Sequence, residues 1–158
     1  QLGPGSPLTG NPGMPGGGAG GNEGKIIPGW NDLNGDALRD GYILEKIVGG
    51  KPTYKLVKKQ INFYDAKKDA EAAGGHLVTI TSNEEWKKVV AIPGAGIIYK
   101  CQVWIGAEQK KGAKKEPAGS WGWVTGEPWS FTAWYSWQPD NSGNIEHHIE
   151  MVIGAVQR

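Results

Sequence analysis

The sequence predicts an α+β fold. Two helical patterns follow one another closely, at 62–73 and 83–92, with short strand patterns on either side. The stretch 125–148 is rich in aromatic residues, has few strand signals, and reads as one long structured loop. At 158 residues, 38% of them hydrophobic, the chain suits one domain, with a tail.

Residues 1–24 are nearly all glycine, proline and small polar residues, and read as an arm or loop with nothing to offset its ordering entropy. GYILEKI (41–47) and YKLVK (54–58) read as two strands joined by VGGKPT, whose Gly49, Gly50 and Pro52 are turn residues. They predict an antiparallel hairpin. In NFYDAKKDAEAA (62–73), Asn62 is placed to cap a helix, with Asp65 at the capping-box position. Phe63, Ala66, Ala70 and Ala73 share one face, and Gly74-Gly75 ends the helix. HLVTI (76–80) is a short extended piece. Thr81 or Ser82 then caps NEEWKKVVAI, which Pro93-Gly94 stops. VWIGAE (103–108) reads as a buried strand, KKGAKKEPAGS as a solvated loop, WGWV (121–124) as a half-buried strand, and HIEMVIGAV (148–156) as a closing strand.

Composition excludes several functions. The formal charge is only +1 and the lysines are scattered, so there is no electrostatic footprint for nucleic acid. No apolar run approaches the roughly 20 residues of a membrane helix, so no membrane insertion is expected. No secretory leader is visible, which reads as a mature product or a piece of a longer chain. Cys101 stands alone and reads as a small buried hydrophobe. There is no nucleophile elbow, zinc-protease motif or phosphate loop, so no enzyme is expected.

Four stretches together resemble the C-type lectin-like domain. FYDAKKDAEAAGGHLVTITSNEEW resembles its two-helix region, VWIGAE its central strand, and WGWVTGEPWSFTAWYSWQPDNSGNIEHHIEMV its long loop and calcium-site strand. WNDLNGDALRDGYILE, at 30–45, resembles the strand carrying Trp-Asn-Asp and the last strand. The resemblance covers 25–158 once the order is rearranged, with 25–47 supplying the two last strands and 53–158 the rest. It implies two helices with short antiparallel sheets, and first and last strands that lie side by side. Three arrangements remain open: a circular permutation closed by the 41–58 hairpin, a unit cut from a tandem array, or subunits exchanging residues 25–47. His148 and Leu44 stand where the family has half-cystines, so the chain resembles disulfide-free microbial members.

The resemblance also implies a site. Gln138-Pro139-Asp140, with Glu146 eight residues after Gln138, is similar to the family's sugar-binding calcium motif, and Asn31 and Asp32 would complete it. Oxygen ligands of this kind suit Ca2+. Pro139 would follow a cis peptide bond. The ion and its ligands Gln138, Asp140, Glu146 and Asn31 would together hold vicinal sugar hydroxyls, and the Gln-Asp pair implies galactose-type geometry. Trp137 or Trp134 could offer the sugar an aromatic face, although Trp134 matches a position that is normally packed. Trp104, Trp121 and Trp123 read as core. His147 and His148 face opposite ways in a strand and cannot share one ion. An EF-hand reading of Asp32, Asn34, Asp36 and Asp40 lacks the glycine at position six and the glutamate at position twelve. The expected function is non-catalytic, calcium-dependent glycan binding at the cell surface or outside the cell. The alternative is a structural or adhesive subunit of an extracellular filament or tandem array, self-associating through residues 1–47.

Overall fold

A computed structural model of the chain describes residues 26–93, 99–110 and 115–155. The arm expected at 1–24 lies outside them. Among the described residues, seven strands and two α-helices follow in chain order: β1 (Gly29–Leu33), β2 (Arg39–Val48), β3 (Lys51–Ile61), α1 (Phe63–Ala72), β4 (His76–Leu77), α2 (Asn83–Val90), β5 (Tyr99–Gln109), β6 (Trp121–Trp123) and β7 (His148–Ala155). The main sheet runs β1-β7-β5-β2-β3, with β4 paired to β2 and β6 to β5. No helix among the described residues is long and apolar enough to cross a membrane.

Local signals set the helices. Asn62 caps α1 by accepting the Asp65 N–H at 2.9 Å, and Ser82 caps α2 by accepting the Glu85 N–H at 3.1 Å. Phe63, Ala66 and Ala70 are buried, whereas Ala73 is the exposed cap residue beyond the helix. The β2–β3 turn places Gly49 at φ +61 and Gly50 at φ +80, which a two-residue turn between twisted strands requires.

Two expectations need correction. The sheet is mixed, because β2 runs parallel to β5 at Gly41↔Val103 and Tyr42↔Trp104. A parallel pair needs a long crossover, and β3, both helices and β4 provide it. The strands are also longer than expected. The register of β2 on β3 extends from Val48↔Lys51 to Arg39↔Ile61, with a bulge between Arg39 and Gly41.

Position 41 accepts only glycine. Its φ is +151, and a Cβ there would come within 1.9 Å of the Val57 carbonyl oxygen.

The core has two parts. On one face of the sheet Tyr42, Leu44, Phe63, Ala66, Ala70, Leu77 and Trp104 pack together with α1. On the other, Trp30 from β1 is fully enclosed by rings. Trp123 and Trp134 lie edge-on to it at 5.7 Å, Phe131 at 6.0 Å and Trp86 at 6.2 Å. Edge-to-face contacts add about 0.5–1.5 kcal/mol each beyond area burial. Cys101 is buried in this cluster, and burial pushes its thiol up to about 11.

Trp30 also fastens the long loop. Its N–H donates to the Ala133 oxygen at 2.9 Å, and its carbonyl accepts the Tyr135 N–H at 3.0 Å. The Tyr135 hydroxyl donates to the Ile27 carbonyl. Residues 131–135 are thus laid along β1, and the loop beyond them arrives at the next residues of that strand.

Candidate functional site

β1 runs antiparallel to β7, with Asn31 opposite Glu150 and Asp32 opposite Ile149. Side chains alternate along a strand, so Asn31 and Asp32 leave β1 on opposite faces. Asp32 shares the face of Trp30 and is 2% exposed. It meets the loop there. Its carboxylate accepts the Asp140 N–H at 3.2 Å and the Asn141 N–H at 2.6 Å. Its own N–H donates to Gln138 Oε1 at 3.3 Å.

The loop is folded to make these contacts. The Gln138–Pro139 peptide is cis, and Trp137 and Asn141 have positive φ of 72° and 46°. The Ser142 N–H donates to Glu146 Oε1 at 3.0 Å and to Asp140 Oδ1 at 3.3 Å. The Glu146 N–H donates to Asn141 Oδ1 at 3.0 Å. As a result, one carboxylate oxygen from each of Asp32, Asp140 and Glu146 lies within 4.8 Å of the others.

Three carboxylates this close repel one another, and among the described residues no lysine, arginine or histidine forms an ion pair with them. Burial and the Asp140 charge push Asp32 up to about 6 against the N–H bonds it accepts. Burial and the hydrogen bond to Asp140 push Glu146 up to about 7. Burial pushes Asp140 upward too, but hydrogen bonds from Glu146, Asp32 and the Ser142 N–H hold it below its ordinary value. Without a cation, the cluster therefore retains protons near neutrality.

The donor set fits Ca2+. Oxygens on one calcium ion, bound at about 2.3–2.6 Å, are separated by at most about twice that distance. The 4.8 Å spread of the three carboxylates meets this limit. Gln138 Oε1, which accepts the Asp32 N–H, is a neutral oxygen held next to the Asp32 backbone. Calcium takes about 6–8 oxygens, so this set leaves positions for ligand or solvent oxygens.

The other predicted residues lie as follows. Asn31 turns away from the cluster, and its Nδ2 donates to Glu150 Oε2 at 3.1 Å. Trp137 adjoins Gln138 and is 91% exposed. Trp134 is buried beside Trp121 and Trp123, and Trp104 is buried in the core on the other face of the sheet. His147 Nδ1 lies 3.2 Å from Gln109 Oε1, while the His148 ring packs on Phe63 at 4.1 Å. The EF-hand alternative dissolves. Asp32 faces the loop, whereas Asp40 accepts the Gln102 N–H at 2.8 Å and the Gln60 amide at 3.2 Å.

A second buried carboxylate was not expected from sequence. Glu150 Oε1 pairs with Arg39 Nε at 2.6 Å, and Gln102 Nε2 donates to both of its oxygens at 3.1 and 3.2 Å. Its separation from Arg39 is 111 residues, so no local motif announces it. The alternation of Trp-Asn-Asp was a usable signal for Asn31, since a core Trp30 puts Asn31 on the other face.

The sequence model of the Lectin C-type domain matches residues 59–152. A perlucin-like protein of Mytilus galloprovincialis is 33% identical over 84 residues, covering 52% of this chain and 51% of the relative. The chain thus spans about half the length of that curated relative. No solved structure matches the chain.

Proposed function

The chain belongs to the C-type lectin domain family, a family of non-catalytic binding domains whose membership implies carbohydrate binding, and we propose that it binds glycans through a calcium ion held by Asp32, Asp140, Glu146 and Gln138. The observation that carries this reading is the convergence of three carboxylates within 4.8 Å, with no lysine, arginine or histidine paired to them among the described residues. When bound, calcium supplies a Lewis-acidic centre whose open positions attract sugar hydroxyls. The chain's own residues do the rest. Asp32 fixes the loop through the backbone N–H groups of Asp140 and Asn141. Asp140, Glu146 and Gln138 present oxygens that also accept hydrogen bonds from vicinal hydroxyls. Trp137, exposed beside them, offers a ring face to the apolar side of a sugar, and with Gln138 and Asp140 it favours a galactose-type ligand. Asn31 is engaged by Glu150, and the proposal does not include it among the ligands.

The domain itself is proposed to run over 25–158 in rearranged order. The family match starts at residue 59, yet β1 and β2 lie upstream of it and pair with β7 and β5. Trp30 at the centre of the aromatic cluster supports the same reading. Domains of this family are typically extracellular, and that location is proposed for this chain.

A glycan array probed with calcium and then with excess chelator tests the function. Binding that appears with calcium and is lost with chelator and in Asp140→Ala is expected. Binding indifferent to both, or no binding, would contradict the proposal.

A further inference from the structure

We propose that a groove beside the carboxylate cluster is a second saccharide subsite, which takes the neutral pyranose linked to the sugar at the cluster; the inference rests on the glycan-binding reading above. The groove has a volume of about 430 Å³, within the lower part of the range typical of small-molecule sites. Its walls come from the β1–β2 turn, the start of α1 and the loop before β7.

It abuts the cluster directly. Asn141 belongs to both, since its N–H donates to Asp32 while its side chain lines the groove and bonds Glu116. Ile145 and His147 line the groove and flank Glu146 in sequence. A sugar held at the carboxylates and linked on this side would place its neighbouring residue at the groove.

The lining chemistry selects the occupant. Asn34 and Asn144 offer amides for sugar hydroxyls, whereas the Asn141 amide is held by Glu116 and the Glu146 N–H and shapes the wall. Tyr64, 44% exposed, adds a phenol and part of a ring face, and exposed Ile145 adds apolar surface for ring C–H groups. Among the described residues no lysine or arginine lines the groove, whereas Asp36 and Glu116 do. These two carboxylates disfavour an anionic sugar such as a uronate or a sulfated residue, and the amides and phenol beside them suit the hydroxyls of a neutral one. The floor is built rather than incidental. His148, 7% exposed, is held between Phe63 and Tyr64 at 4.1 and 5.2 Å. Its Nδ1 has no hydrogen-bond partner, and a Cβ at Gly35 would approach that atom within 2.6 Å. Gly35 thus packs closely on the buried His148 ring, with no room for a side chain between them.

Calorimetric titration in calcium compares methyl β-galactoside with lactose, and methyl α-mannoside with a mannose disaccharide. In the native protein the disaccharide of the favoured series should bind about fivefold to tenfold tighter than its monosaccharide, the scale of one or two net hydrogen bonds. Asn144→Gly suits the positive φ of 61° at that position, and Tyr64→Phe keeps the ring. Both should reduce that advantage and leave the monosaccharide affinity unchanged. Equal affinities in the native protein, or variants that weaken both sugars alike, would overturn the subsite while leaving the lectin reading intact. No calcium-dependent binding of either sugar in either series would overturn both.

Discussion

Two carboxylates on opposite faces of the β1–β7 ladder, Asp32 and Glu150, are almost equally buried but are treated differently. Glu150 is neutralised by Arg39 at 2.6 Å and completed by the amides of Gln102 and Asn31. Among the described residues, the Asp32 carboxylate meets backbone N–H groups and two further carboxylates. Burial without a counter-charge raises its proton affinity, up to about 6. The first is a finished structural pair. The second has no such counter-charge among the described residues, and that difference separates a brace from a candidate cation site on two paired strands.

Breaking the brace should have the largest effect. Arg39→Ala leaves Glu150 buried and uncompensated, and should lower stability by about 3 kcal/mol. Urea denaturation should give the same loss with calcium and with chelator, because the brace does not involve the cation.

Asp32→Asn should do the opposite. Removing one of three clustered charges should leave stability in chelator within about 1 kcal/mol of the native protein, on the favourable side. In saturating calcium the variant should fall below the native protein, because ligand binding stabilises only the protein that binds.

The pH dependence sharpens the contrast further. Glu146 is raised from 4.5 to about 7 and Asp32 from 3.8 to about 6. Between the lower and upper values the folded protein holds more protons than the unfolded chain. Stability in chelator should therefore fall as pH rises from about 4 to about 7. Thermal melts across this window should show the decline, and saturating calcium should remove or reverse it.

Trp137→Ala should have the smallest effect on stability, within about 0.5 kcal/mol, since the ring is almost wholly exposed. Its consequence should be seen in glycan affinity, measured by titration with the sugar that the array selects.

Much of this was legible because it is local. Asn62 and Ser82 announce their helices, Gly49-Gly50 announces the hairpin, and the spacing of Gln138, Asp140 and Glu146 marks the loop. What depends on distant pairing was not legible. The ends of β3 carry lysines and weak strand signals, and they become strand through their register with β2. The parallel step from β2 to β5 follows from a crossover that no short motif encodes. Asn31 shows how far a resemblance reaches. It placed Asn31 beside Asp32 as a ligand, but strand alternation turns its amide to Glu150.

The most direct measurement is a calorimetric titration of calcium into the metal-free protein and its Asp32→Asn variant. One saturable site in the native protein, lost in the variant, is the predicted result. No binding by the native protein, or equal binding by the variant, would contradict a calcium site completed by β1.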